Sequence, residues 1–256
     1  GIDFGNLDIG TMLTSGCSSN TRGLSMGGRK SPGVQENRIE YVTIQSTGGG
    51  TNFGDLTKTT DYANIGNLGN ATRGLLQGGH NPAHGDADMG VDINYVTIAS
   101  TGDAVKFGEC SITHLYSPGT FSSPTRGVIA GGGNPGINTT EFITIASTGN
   151  AVNFGELLGN GGQGSAGASS SVVGLVAGGY YGGSDHFNVE KFTIATTGNS
   201  IDWGDLTDSR RWLCPLSDSI RAVWCGGYAP GSVDTMDYNL FATGGASVDF
   251  GNMTVS

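Results

Sequence analysis

One four-residue motif, an aromatic residue followed by glycine, a polar residue and an apolar one, recurs six times and constrains this chain more than any other feature. It appears at Phe4-Gly5-Asn6-Leu7, Phe53-Gly54-Asp55-Leu56, Phe107-Gly108-Glu109-Cys110, Phe154-Gly155-Glu156-Leu157, Trp203-Gly204-Asp205-Leu206 and Phe250-Gly251-Asn252-Met253, at spacings of 49, 54, 47, 49 and 47 residues. A period of this size marks a repeated supersecondary unit. Between successive motifs the order is constant. A polar stretch comes first, then a short apolar run ending in paired glycines (Gly27-Gly28, Gly78-Gly79, Gly131-Gly132, Gly178-Gly179, Gly226-Gly227). An alternating run follows, of the kind IEYVTI or TEFITI, and then a tight turn such as Ser147-Thr148-Gly149-Asn150.

The runs are five or six residues long, rich in Val, Ile, Thr, Tyr and Phe, and bounded by turn formers, so they read as strands. No 3.6-residue apolar period persists for ten residues, which argues against helices. Each unit is therefore predicted to hold four antiparallel strands: a (polar), b (ending in Gly-Gly), c (alternating) and d (the motif). Five such units can stack linearly or close into a ring. A stack needs distinct caps at its ends, and the last copy keeps the whole pattern. Ring closure protects the sheet edges instead. The expectation is an all-β, five-bladed β-propeller in one domain, with blades near 8–56, 57–110, 111–157, 158–206 and 207–256, and a surplus d strand at 1–7. That strand reads as either a linker or a closing strand. The start on Gly1 reads as a processed end or as part of something longer.

Glycine, with 47 copies, fits turns, bulges and close backbone approach, and the absence of a Gly-X-Y period excludes collagen. A net charge of −10 with twelve basic residues leaves no basic footprint for nucleic acid, and no apolar run approaches a membrane span. Cys17, Cys110, Cys214 and Cys225 fall out of register with the repeat, so no disulfide framework is expected. Cys214 and Cys225 could lie on neighbouring strands of one hairpin and pair; four free thiols is the plainer alternative.

Arg22, Arg73, Arg126 and Arg221 precede strand b in four copies, and Asp55, Glu109, Glu156 and Asp205 follow the motif glycine in four. Repeated cation and repeated carboxylate suggest a structural ion pair within or between blades; an arginine ring at the channel mouth is the functional alternative. The b–c loops vary most between copies. In a propeller they share a face with the d–a connections, and there Tyr180, Tyr181, His186, Phe187 and Tyr228 supply aromatics suited to sugar or protein contact. His80, His84, Asp86 and Asp88 offer imidazole and carboxylate ligands for a metal ion, in no spacing that defines a site. The four histidines form no catalytic motif and no singular carboxylate pair stands out, so a non-enzymatic protein without a cofactor is expected.

The b strand ending in Gly-Gly, the c strand and the aromatic d strand resemble Kelch-type repeats. Runs such as SSPTRGVIAGGGNPGINTTEFITIASTGNAVNFGEL are similar, more narrowly, to Kelch-like repeats in virion and tail-associated proteins of tailed bacteriophages, notably those of marine cyanobacteria. The resemblance spans nearly the whole chain; copies four and five depart from it at Val173 and along MDYNLF. It implies a structural, decoration or host-contact role on a virion surface, with other virion proteins and a host glycan or protein as partners. A soluble lectin-like propeller is the alternative, and a glycan-cleaving enzyme the third.

Overall fold

The computed structural model describes residues 3–81, 90–133, 135–159 and 161–254. The chain is a five-bladed β-propeller, and the described residues contain strands and turns but no helix. Blade 1 comprises β1 (Ser15–Ser18), β2 (Arg22–Met26), the short β3 (Arg29–Lys30), β4 (Val34–Thr43) and β5 (Thr51–Thr60). Blade 2 comprises β6 (Arg73–Gln77), β7 (Asp92–Thr97) and β8 (Val105–Glu109). Blade 3 is β9 (Gly119–Ser122), β10 (Arg126–Ala130), β11 (Thr139–Thr144) and β12 (Val152–Glu156). Blade 4 is β13 (Ala166–Ser169), β14 (Val173–Ala177), the hairpin β15 (Tyr180–Tyr181) and β16 (Ser184–Asp185), then β17 (Asn188–Thr193) and β18 (Ile201–Asp205). Blade 5 is β19 (Cys214–Ser217), β20 (Arg221–Cys225), β21 (Thr235–Leu240) and β22 (Val248–Asn252).

The aromatic-glycine motif is explained by a bulge. In blade 3, Thr140 pairs with Gly155 and Glu141 with Asn153, so Phe154 is the extra residue of β12. The same shift falls at Ile39/Glu40, Ile93/Asn94, Val189/Glu190 and Met236/Asp237. A bulge re-aims its side chain, and here it turns the aromatic into the space between blades: Phe53, Phe107 and Phe154 are each at most 3% exposed. On the facing strand it lets two consecutive residues, such as Thr140 and Glu141, both be buried. The buried acid or amide at this position reaches back to the preceding blade. Ser111 N donates to Glu141 (3.0 Å), Leu158 N to Glu190 (2.9 Å) and Thr207 N to Asp237 (2.9 Å).

Blade 2 departs from the four-stranded pattern. Its inner segment keeps one bridge to β6, Gly69 with Gly74, and a pair of bonds between Asn64 and Gln77 (Asn64 N to Gln77 O, 3.3 Å; Gln77 N to Asn64 Oδ1, 2.9 Å), and it also bonds sideways. Ile65 N donates to Pro118 O (2.9 Å), while Thr120 N (3.0 Å) and Gly167 N (3.1 Å) both donate to Ile65 O. Three inner segments thus meet at the axis around Gly66.

The repeated arginines do not pair with the repeated carboxylates. Among the described residues no ion pair joins Arg22, Arg73, Arg126 or Arg221 to Asp55, Glu109, Glu156 or Asp205. Instead Arg22, Arg73 and Arg126 donate to main-chain carbonyls of the next blade, those of Ile98 (2.8 Å), Ile145 (2.7 Å) and Ile194 (3.0 Å). Each guanidinium also lies over an aromatic ring of its own blade, at 4.5 Å from Tyr41, 4.8 Å from Tyr95 and 4.6 Å from Phe142. Where copy four has Val173, Trp203 Nε1 takes over the link by donating to Leu240 O (2.9 Å).

Cys214 and Cys225 are directly opposed on β19 and β20, and both thiols are free. Cys17, Cys110 and Cys225 are buried; burial pushes the Cys17 thiol up to about 12 and the Cys110 thiol well above its ordinary value. Burial of its sulfur raises the Cys214 thiol as well, but Cys214 alone is an exposed residue; since alkylation needs access to the thiolate, alkylation of the native protein at pH 8 is expected to modify Cys214 alone, and alkylation in denaturant all four. Intact-mass analysis showing two or more native labels would contradict this burial pattern.

Candidate functional site

The connection from strand d to the next strand a carries a left-handed residue at the same place in every blade. These residues are Leu13 (φ 60°), Tyr62 (51°), Tyr116 (53°), Gly164 (73°) and Trp212 (56°). A left-handed bulky residue is strained, by roughly 1–3 kcal/mol each, and such residues cluster at functional sites. The fivefold arrangement converges them on one mouth of the axis. Tyr62 lies 6.1 Å from both Tyr116 and Trp212, ring centre to ring centre. The glycine at the fourth position has its own reason: a side chain on Gly164 would collide with the Trp212 indole at Cδ1 and Nε1.

The b–c loops close over the same mouth, held by backbone bridges between Met12 and Arg29, Asp61 and His80, Gln163 and Tyr180, and Arg211 and Tyr228. Two arginine clusters form where these loops meet the d–a connections. Arg211 sits among three rings, 4.3 Å from Tyr180, 4.7 Å from Trp212 and 4.8 Å from Tyr228, and pairs with Asp185 at 3.0 Å. Across the mouth Arg29 lies 5.5 Å from the Tyr62 ring and 3.5 Å from fully buried Asp61, which also faces His80 at 3.5 Å. Burial pushes the Asp61 carboxyl above its ordinary range, and Arg29 and His80 hold back part of that rise.

Beneath the rim is a cavity of about 630 Å³. Leu13, Ser117 and Trp212 form its upper edge. Ser15, Asn64, Asn67, Ser169 and Ser217 give its wall hydroxyls and amides, and Leu24, Leu213 and Leu216 give it apolar surface. This size falls within the usual range for a small-molecule site, roughly 300–1,000 Å³. Trp212 Nε1 is buried and has no acceptor among the described residues.

The structure brings Tyr180 and Tyr228 into this site. Tyr181 and His186 form a separate contact beside it (6.5 Å between rings), with His186 Nε2 near Tyr181 O at 3.1 Å, and Phe187 is exposed. Of the proposed metal ligands, His80 belongs to the rim, stacked on Tyr116 at 5.2 Å; His84, Asp86 and Asp88 lie outside the described residues. Sequence reasoning missed Leu13, Tyr62, Tyr116 and Trp212. Their signal was positional: each lies nine residues after a motif aromatic (Phe4, Phe53, Phe107, Trp203).

Cys110, His114 and Glu141 form a buried cluster with metal-compatible donor atoms. His114 bonds Glu141 (3.0 Å) and Gly131 O (2.6 Å). Arg210 stands two residues before Trp212 as His114 stands two before Tyr116, and it pairs with Asp237 as His114 pairs with Glu141. The repeat thus accounts for the cluster as a buried side-chain-to-carboxylate link between blades.

Fold and site together define a β-propeller with an aromatic, arginine-flanked axial mouth. No family model matches the chain, and no curated protein matches it.

Proposed function

We propose that this chain is a non-enzymatic recognition propeller that binds a glycan at its axial mouth. The observation that carries the reading is the ring of left-handed Tyr62, Tyr116 and Trp212 above a cavity of about 630 Å³. Aromatic faces stack on the apolar faces of sugar rings, while hydroxyls and amides serve sugar hydroxyls; a few placed polar groups in an apolar frame are the general design of a ligand site. The cavity wall holds hydroxyls, amides and thiols, whereas glycoside cleavage ordinarily calls for a carboxylate pair. The likeness of the repeats to phage virion proteins supports placing this propeller on a particle surface, where glycan binding serves host contact.

The test is a glycan array followed by titration of the best ligand. Tyr228→Ala and Trp212→Ala are each expected to weaken binding about tenfold or more, the loss of one stacked ring in a desolvated site. Tyr181→Ala, beside the mouth, is expected to change it little. A wild-type protein that binds no glycan, or a Trp212→Ala protein that is folded and binds equally well, would sink the reading. For the particle, antibody labelling of purified virions is expected to decorate the surface.

A further inference from the structure

Four junctions of the ring are sealed alike. The third residue of strand a in one blade fills the space over the second residue of strand b in the next: Cys17 over Gly74, Leu68 over Gly127, Phe121 over Gly174, and Ala168 packed with Ala222. The motif strand of one blade also accepts two hydrogen bonds from the c–d turn of the next. Gly102 N donates to Phe53 O (2.7 Å), Gly149 N to Phe107 O (2.9 Å), Gly198 N to Phe154 O (2.7 Å) and Gly245 N to Trp203 O (2.8 Å). Each junction contains its own apolar cluster.

The junction between blades 5 and 1 has the same parts, unassembled. Leu216, the third residue of β19, is 58% exposed, and the space over Gly23 of β2 is met only by Val42 of its own blade. Phe250 is 48% exposed where its counterparts Phe53, Phe107 and Phe154 are buried. A side chain on Gly251 would meet nothing within 4 Å, whereas one on Gly54, Gly108, Gly155 or Gly204 would strike the next blade's turn. Among the described residues Arg221 makes no bond to a carbonyl of blade 1; it faces Asp218 in its own turn (3.9 Å) and the Tyr238 and Phe250 rings of its own blade (5.5 Å each).

The seat on blade 1 is nevertheless filled. Gly48 N donates to Phe4 O (2.8 Å), Gly50 N to Asn6 O (2.7 Å), and Asp8 N to Glu40 (3.2 Å). The N-terminal segment therefore makes the two main-chain bonds and the bond to the buried acid that a preceding motif strand would make; position 49 is glycine, so the side-chain acceptor that Asp103, Asn150 and Asn199 offer at three other junctions has no counterpart here. Asp3-Phe4-Gly5-Asn6 is also repeated letter for letter at Asp249-Phe250-Gly251-Asn252, and at none of the other four motifs.

We propose that residues 3–7 and β22 are alternative occupants of this one seat, so that the seam is a two-state junction wedged open by the N-terminal segment. When β22 takes the seat, Leu216 moves onto Gly23 and Arg221 reaches the carbonyl of Ile44, the counterpart of Ile98. The axial cavity, which lies between β1 and β19, narrows, and the N-terminal segment is set free. The state of the seam and the volume available at the mouth are thereby coupled.

The test reads hydrogen exchange at the Gly48 and Gly50 amides by NMR in the full chain. In Gly5→Val the new side chain strikes the Gly48 carbonyl and expels the wedge. These amides are expected to remain protected, because β22 replaces it. Gly251→Val alone is expected to leave them protected by the wedge. The double variant is expected to exchange about tenfold or more faster than either single variant, as two backbone hydrogen bonds are lost. As a second reading, a thiol placed by Leu216→Cys in a Cys214→Ser background is expected to react about tenfold more slowly once Gly5→Val is added, because closure buries it. Equal exchange in Gly5→Val and the double variant, protection in all three, or an unchanged thiol rate would overturn the proposal.

Discussion

Arg210→Ala is expected to destabilise the propeller by ~3–5 kcal/mol, the usual cost of breaking a buried ion pair from one side. Arg210 and Asp237 are both fully buried, and their pairing ties the d–a connection of blade 4 to strand c of blade 5. Asp237 would keep only Thr207, whose N (2.9 Å) and Oγ1 (2.7 Å) both donate to Oδ2. Two neutral-donor bonds do not replace a guanidinium in a dry site. Urea unfolding measured by fluorescence is the check, read at the midpoint with the slope held constant. Two companion variants separate charge from packing. Arg210→Met with Asp237→Leu removes both charges and is expected to recover most of the loss, since an apolar replacement of a buried pair is often neutral. Arg210→His is expected to fall between, because His114 performs the same task against Glu141 in blade 3, but with a carboxylate one methylene longer. A loss under about 1 kcal/mol for Arg210→Ala would place the pair with exposed salt bridges and contradict its burial.

The His114–Glu141 pair carries a pH dependence of definite sign. Burial raises the Glu141 carboxyl, but hydrogen bonds from His114 and Ser111 outweigh it and hold the net value below the ordinary glutamate range. A carboxylate depressed in the folded state contributes stability above its unfolded value, near 4.5, and that contribution is lost as pH falls through the folded value. Acid therefore loosens this inter-blade link by protonating Glu141.

How much was legible in the chain follows from what kind of contact each residue makes. The strands, the blade count and the bulge-forming Phe-Gly motif were readable because every copy meets the same demand: an aromatic between blades and a glycine with a left-handed or extended φ beside the next turn. The arginine ladder was misread for a physical reason. Its acceptors are main-chain carbonyls of Ile98, Ile145 and Ile194, and every residue has a carbonyl, so no letter marks it. The acid that does recur in register inside the sheet, at Glu40, Glu141, Glu190 and Asp237, was overshadowed by the more visible acid after the motif. The axial ring escaped because its position demands a backbone conformation rather than a residue type. Leu13, Tyr62, Tyr116, Gly164 and Trp212 share a φ and little else. Tyr180 and Tyr228 stand out in the sequence because their loops differ between copies, but nothing local says that Arg211 gathers them.

Gly66→Ala is expected to prevent the ring from assembling as seen, with a destabilisation above ~4 kcal/mol, the range reserved for backbone clashes and cavities in the core. Gly66 has φ 126° and lies where the inner segments of blades 2, 3 and 4 meet. A Cβ there would overlap the carbonyl oxygens of Thr120 and Gly167. Both are backbone atoms of other blades, so no rotamer change relieves the clash, and moving either would break the bonds that Thr120 N and Gly167 N make to Ile65 O. The left-handed φ adds strain of its own. The control is Gly149→Ala in a c–d turn, where a Cβ would meet nothing within 4 Å; it is expected to change stability by less than about 0.5 kcal/mol, as surface substitutions do. Thermal unfolding of the two variants side by side separates glycine demanded by crowding from glycine that merely occupies a turn. Equal melting temperatures would mean that the three inner segments do not meet at the axis, and the reading of the cavity wall would fall with them.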